Sequence, residues 1–286
     1  MTACHIAGGA VSQGLLFGPD DAPTAKPVGD GWQQMRVLIT VKAAPNPSET
    51  YGETVCVAGI RLDFDAPGWV RLYPINFREL DSPHTFKKYD IVSLRAKPAR
   101  GDFRTESWRP DITSAHTVDH LKPWTRRRVE IEPYVDASMC TIREAVHANS
   151  AAPSLAAVRP DRILGIDIKP HPGWSPEDQR KIDRYVGQLD LTGGARTALQ
   201  PPRFQGWYRY RCTPRCNGHR QGILDWEFVA LQRKLKHHND EDLARELRAK
   251  YLDQMCAPDR DTVFYVGNQA KSPRTFSVLG VYWPTR

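Results

Sequence analysis

Apolar and polar positions along this chain follow two regimes. Between residues 35 and 96 the apolar residues fall in short β-branched runs: Met35–Lys42 (MRVLITVK), Thr54–Leu62 (TVCVAGIRL), Gly68–Tyr73 (GWVRLY) and Tyr89–Ala96 (YDIVSLRA). Pro, Gly or polar turns break each run from the next. Runs of this length and spacing predict the strands of a small barrel, with one short helical piece near Phe77–Leu80. From residue 120 helical spacing enters. Residues 120–150 read as mostly helical, with Thr141–Asn149 the clearest helix. Ser175-Pro176-Glu177-Asp178 is a helix start: a capping serine, proline at the first helical position, then acids at the positive end of the dipole. That helix is expected to run to about Gln188. Ile223–Leu235 and Glu241–Met255 also carry helical spacing. His237-His238-Asn239-Asp240 separates them and ends in a cap for the second. Val158–Lys169 reads as the start of a strand pair, Gly206–Arg211 as a strand, and Thr262–Gly267 with Thr275–Tyr282 as a hairpin.

The expected fold class is therefore α+β. Residues 1–31, interrupted by Gly and Pro, read as a flexible tail. Residues 32–150 form a β-barrel domain. Residues 151–202 are a second barrel part or a connector, and residues 203–286 an α/β module.

Composition narrows the class of protein. With 286 residues, 40% hydrophobic and 26% charged, the chain can bury a real core. No apolar run approaches the ~18 residues of a membrane-spanning helix. The N-terminus has no charged segment followed by an apolar one, so no secretory signal is expected and a cytoplasmic location is. The net charge of +7 favours phosphate-bearing partners. Six cysteines, at 4, 56, 140, 212, 216 and 256, are too sparse and uneven for a disulfide scaffold. They point to a reducing compartment and a metal site.

The sharpest chemical signal is Cys212-Thr213-Pro214-Arg215-Cys216-Asn217-Gly218-His219. A tight turn after a strand lets two thiolates and an imidazole converge on tetrahedral zinc. Cys256, at the end of a helix, is the first choice for a fourth ligand, and His237 or His238 the second. The alternative is two buried thiols beside a surface histidine. The same stretch is basic and aromatic. Trp207, Arg209 and Arg211 alternate with Tyr208 and Tyr210, so a strand puts the first three on one face. Arg215 and Arg220 follow, with no acid in the run. Aromatics stack on bases and guanidinium groups clamp phosphates; alternatively the tyrosines pack in a core and the arginines are solvated. A second run, Arg95, Lys97, Arg100, Phe103, Arg104, Trp108 and Arg109, has the same character, and Arg126-Arg127-Arg128 sits beside Trp124. Arg104, Trp108, Arg109, Trp207, Arg209, Arg211 and Arg215 are thus the candidate nucleic-acid contacts.

Asp225 and Glu227 form an acidic pair near this basic strand. With Gln269 and Lys271 they could hold Mg²⁺ or Mn²⁺ and steady developing charge in a nuclease. The alternative is that both acids cap a helix start. Asp167 lies near His171, but His171, in Lys-Pro-His-Pro-Gly, reads as a loop residue. No phosphate loop, nucleophile elbow, dinucleotide fingerprint or deaminase motif occurs.

The segment from 35 to about 170 resembles the dual OB-fold domains of bacterial conflict and mobile-element proteins. The residues that carry the likeness are VLITVK at 37–42, VCVAGI at 55–60, GWVRLYPI at 68–75, YDIVSL at 89–94 and FRTESWRPD at 103–111. The resemblance implies small OB-like barrels that bind nucleic acid or nucleotides, and a setting in phage defence or a mobile element. The leading expectation is a nucleic-acid-binding protein with a structural zinc ion. The alternatives are a metal-dependent nuclease or other nucleic-acid-modifying enzyme, and an adaptor protein.

Overall fold

A computed structural model of the protein describes residues 26, 29–48, 52–63, 68–76, 84–136, 138–187 and 197–286. The helix expected near Phe77–Leu80 and most of the expected tail lie outside the described residues.

The four apolar runs become β1 (Gln33–Lys42), β3 (Gly52–Arg61), β4 (Gly68–Ile75) and β5 (Asp90–Pro98), with a short β2 (Asn46–Ser48) beside β3. A fifth barrel strand, β6 (Ser107–His120), completes the ring. Around the barrel the order is β1-β3-β4-β6-β5 and back to β1. All pairs are antiparallel except β4 with β6, which run parallel. β6 is the strand the sequence hid. Its run, SWRPDITSAHTVDH, contains a proline and buries only Ser107, Trp108 and Ala115, so neither period-two alternation nor an apolar stretch marks it.

The apolar runs of β1 and β3 are continuous because both faces of these strands are covered. Met35, Val37, Ile39, Val55 and Val57 point into the barrel. Leu38, Val41, Ala58 and Ile60 point outwards, yet pack with Leu155, Ala157, Val263, Tyr265, Leu279 and Tyr282 of the second half.

That second half begins with α1 (Thr125–Ile131), a single 3-10 turn, and β7 (Val135–Asp136). Then come α2 (Met139–Ala148), β8 (Leu155–Val158), β9 (Arg162–Pro170), α3 (Pro176–Gly187), β10 (Phe204–Arg211) and β11 (His219–Gly222). α4 (Trp226–Lys234), α5 (Asp240–Arg248) with a π-helical continuation (Ala249–Gln254), β12 (Val263–Gln269) and β13 (Ser272–Tyr282) follow. β12 and β13 form the expected hairpin inside a sheet ordered β13-β12-β8-β7. β9, β10 and β11 form a second, antiparallel sheet, joined to β13 by one bridge from Ile223 to Val278. α2 belongs with this half, although the sequence groups it with the barrel: Met139, Ile142 and Val146 share a core with Tyr208, Tyr210, Phe228 and Phe264.

Polar groups also fasten the two halves together. Buried Arg71 donates from Nη2 to Ser154 Oγ at 3.1 Å. Glu106 Oε1 accepts from the same Ser154 through its Oγ at 2.5 Å and its N–H at 3.1 Å. Arg104 donates from Nη1 to the backbone carbonyl of Asn268 at 2.9 Å.

Candidate metal centre and the sheet face beside it

β10 ends at Arg211, and the chain turns back into β11 through Thr213–Gly218. The turn closes with a hydrogen bond from Cys216 N–H to Thr213 carbonyl at 3.1 Å. Gly218 has φ +103°, a conformation that glycine adopts without penalty. Its N–H donates to Cys216 Sγ at 3.2 Å. The turn thus presents Cys212, Cys216 and His219 to one point. The fourth member is Cys140, in the first turn of α2 behind its capping residue Ser138. Cys140 Sγ lies 3.6 Å from Cys212 Sγ, 3.7 Å from Cys216 Sγ and 3.5 Å from His219 Nε2. His219 Nε2 lies 3.3 Å from Cys212 Sγ and 3.2 Å from Cys216 Sγ. Sulfur and nitrogen ligands around one tetrahedral zinc stand about 3.5–3.8 Å apart. Three of these distances match and the two from His219 to Cys212 and Cys216 are a few tenths of an ångström shorter, so the four side chains cluster at metal-binding distance.

Burial and mutual proximity shift the titration of these groups. Burial and the neighbouring Cys212 and Cys216 push the Cys140 thiol up to about 12. Burial, and after it the Arg143 guanidinium, lowers His219, which favours the neutral imidazole a metal takes. Burial opposes the Cys216 thiolate, but backbone N–H groups at Cys212 and Gly218 and the adjacent thiols bring its pKa below the ordinary value.

Cys256 is not in the cluster. Its thiol donates to the Tyr251 carbonyl at 3.3 Å, and burial raises it to about 12. His237 and His238 are exposed between α4 and α5. Cys140 lies 72 residues before Cys212, so no local spacing marks it. Its position two residues after Ser138, the helix-capping serine, is the available signal.

The outward face of the β9-β10-β11 sheet adjoins this cluster. The alternation along β10 is as the sequence predicts: Tyr208 and Tyr210 are fully buried, while Arg209 and Arg211 are exposed. Trp207 is half-buried because Arg220 covers it, with the guanidinium carbon 4.2 Å from the ring centroid. Arg220 starts on β11, crosses Trp207 on β10 and reaches β9, where its Nε donates to Asp167 Oδ2 at 2.9 Å. Arg209 Nε donates to the other oxygen, Oδ1, at 3.0 Å. These partners hold the Asp167 carboxyl below the ordinary range. Arg162, paired with Arg211, and Lys169, paired with Gln205, extend the same face. Arg215 is exposed on the turn.

The other candidate residues have different fates. Arg104 is 6% exposed and Trp108 is buried in the barrel core. Beyond its Asn268 contact, Arg104 clamps Asp102 through Nε at 2.9 Å and Nη2 at 2.6 Å. Neither side chain is free to meet a ligand. Arg109 is exposed and lines a cleft of about 590 Å³ with Trp32, Lys97 and Asp111.

Asp225 caps α4, accepting from Glu227 N–H at 2.9 Å. A cation already lies by the acidic pair: the Lys88 ammonium, 3.4 Å from Glu227 Oε2 and 4.0 Å from Asp225 Oδ2. Burial pushes the Asp225 carboxyl up to about 7 despite Lys88. Lys88 also donates to the Val281 carbonyl, which fixes this pair at the far end of β13. Lys271 and Gln269 sit at the opposite end of the hairpin, about 30 Å of strand away. The convergence that a nuclease site requires does not occur, because the helix-capping geometry of Asp225 turns it into the core.

A closed barrel docked on a second mixed unit with a Cys₃His cluster defines the architectural class. Residues 135–286 match a family described as a domain of unknown function (DUF8757), and residues 33–133 match another, DUF8758. The first match spans more than half of the chain, so the chain belongs to that family. The two matches meet between 133 and 135, close to where the barrel ends. No curated protein matches the chain.

Proposed function

We propose that this protein binds nucleic acid through the outward face of the β9-β10-β11 sheet. The observation that carries this reading is the face itself: Arg162, Lys169, Arg209, Arg211 and Arg220 surround one acid, Asp167, with Trp207 among them. Cations clustered on a rigid sheet attract a phosphate backbone, and an aromatic-backed plane suits bases. The cysteine and histidine side chains hold a structural zinc ion that staples the β10–β11 turn to α2 and fixes the edge of that face. Three thiols and one imidazole with tetrahedral spacing favour zinc over harder cations. The barrel is OB-like: its third and fifth strands run parallel and its first closes on both the second and the fourth. The Arg109–Trp32 cleft gives it a second, smaller basic surface. The setting in phage defence or a mobile element rests on the resemblance of residues 35–170.

The test is binding of labelled single- and double-stranded DNA and RNA across a salt series. Affinity is expected to fall steeply as salt rises. Affinity that ignores salt, or no binding to any of the four, removes the proposal.

A further inference from the structure

The arrangement around Asp167 is more specific than a basic patch. Both carboxylate oxygens are used, one for each arginine, and both arginines are held through Nε. The Nη groups of Arg209 and Arg220 have no hydrogen-bond partner among the described residues. Two guanidinium forks are therefore fixed side by side with their outer nitrogens free. The backbone makes room for this. Arg209 lies over Gly165, where a Cβ would stand 3.2 Å from Nη2, and Gly165 has φ +142°, which disfavours any other residue. Arg220 rests on Trp207 with its guanidinium carbon 4.2 Å from the ring centroid, and its side chain is 45% exposed, so part of the guanidinium is open to solvent.

We infer that this face takes single-stranded nucleic acid, with an unpaired base stacked on the Arg220 plane and a neighbouring phosphate in the Arg209–Arg220 fork, and that Asp167 is the positioning residue. This rests on the nucleic-acid reading above and deepens it. A base can stack on a guanidinium plane only where it has left its own helix, because a paired base is covered by its neighbours. Trp207 supports the stack from beneath rather than meeting the base itself. Asp167 has a sign that separates the two roles open to it. As a plain negative charge it repels phosphate, and its removal strengthens binding. As the holder of both forks it prepays their ordering, and its removal weakens binding although the protein becomes more positive.

The experiment compares the wild-type chain with Asp167→Asn, Asp161→Asn and Asp167→Glu, on a single strand and on the duplex of the same sequence. Asp161 is exposed beside the same strand and has no part in the fork, so Asp161→Asn reports the charge effect alone. We expect wild type to prefer the single strand. Asp167→Asn weakens that binding about tenfold, the order expected when two long side chains must be ordered on binding. Asp161→Asn strengthens it slightly, and Asp167→Glu recovers part of the loss. Melting temperatures of all four proteins should agree, since both sites lie at the surface. Equal or tighter binding by Asp167→Asn, or duplex bound as well as single strand, overturns the inference while leaving the nucleic-acid reading in place. No binding by wild type to either form overturns both.

Discussion

Two stretches of this chain, Phe103–Arg109 and Gly206–Arg220, share a basic-aromatic character and meet opposite fates. Both mix arginine with tryptophan and both border a β-strand. In the first, Arg104 turns inwards to Asp102 and Asn268 and Trp108 fills the barrel. In the second, Arg209 and Arg211 face solvent and the tyrosines between them form the core. The difference comes from what lies opposite. The turn before β6 is pressed against the β12–β13 hairpin, so its guanidinium must find partners inside. β10 has a core on one face only. Across its outer face Arg209 pairs with Gly165 and Trp207 with Gly222, and charged Asp167, Arg162, Lys169 and Arg220 complete a face that no other element covers among the described residues. Composition identifies a basic-aromatic run; the number of its faces that the rest of the fold covers decides whether it fastens or binds.

The strongest test of this contrast removes what holds the second stretch in place. Cys140→Ala should release the metal and loosen the β10–β11 turn, while Cys256→Ala should keep both. Structural zinc contributes on the order of 10 kcal/mol or more in small finger domains. Loss of metal by chelation should therefore cost more stability here than any single surface change. Elemental analysis and thermal melting with and without chelator check this. A metal-free wild type, or a Cys140→Ala protein that keeps its metal, would reject the zinc staple.

Next in size is the first stretch. Arg104→Met leaves the Asp102 carboxylate and the Asn268 carbonyl without their buried partner, a loss of about 3–5 kcal/mol. It should leave the salt slope of binding unchanged. The same substitution should change the acid titration. Burial raises the Asp102 pKa, but the Arg104 hydrogen bonds outweigh it and hold it at about 2, below its ordinary 3.8. A folded pKa below the unfolded one stabilises above pH 4 and stops doing so as pH falls towards 2. In Arg104→Met the Asp102 titration, followed by NMR, should move upwards. A small stability change with a flattened salt slope would mean that Arg104 binds ligand after all.

How much of this was legible in the sequence follows from the same logic. The strands β1, β3, β4, β5, β10 and the closing hairpin announce themselves by apolar runs or by alternation. The capped helix at Pro176–Gly187 shows its start because its signal is local. The Cys212–His219 turn is also local and was visible. Cys140 was not, because it reaches the cluster by packing of α2 across the sheet. β6 was hidden by Pro110 and its many polar residues. Asp167 was hidden because its partners come from two other strands, and Arg220 was visible only as one more basic residue.

A smaller effect is expected on the exposed face itself. Arg209→Ala with Arg211→Ala should flatten the slope of log affinity against log salt by about 0.7 per lost phosphate contact on a single strand. Stability should change little, since exposed ion pairs are worth about 0–1 kcal/mol. An unchanged slope would leave these arginines as ordinary surface.

The finest distinction lies within the first stretch, at Arg109. It alternates with Trp108 on β6, so when the tryptophan enters the barrel the arginine must point away. There it lines the cleft with Lys97 and with Trp32, which is 48% exposed. If outward orientation is what turns a basic-aromatic run into a binding surface, Arg109 should behave like Arg209 and unlike Arg104, its own neighbour. Arg109→Ala should then melt with wild type and bind single strands about threefold more weakly. Its salt slope should flatten by about 0.7. Measured beside Arg104→Met, it asks one stretch of seven residues to give both behaviours. Wild-type affinity and slope in Arg109→Ala would confine binding to the β9-β10-β11 face and leave the barrel as its support.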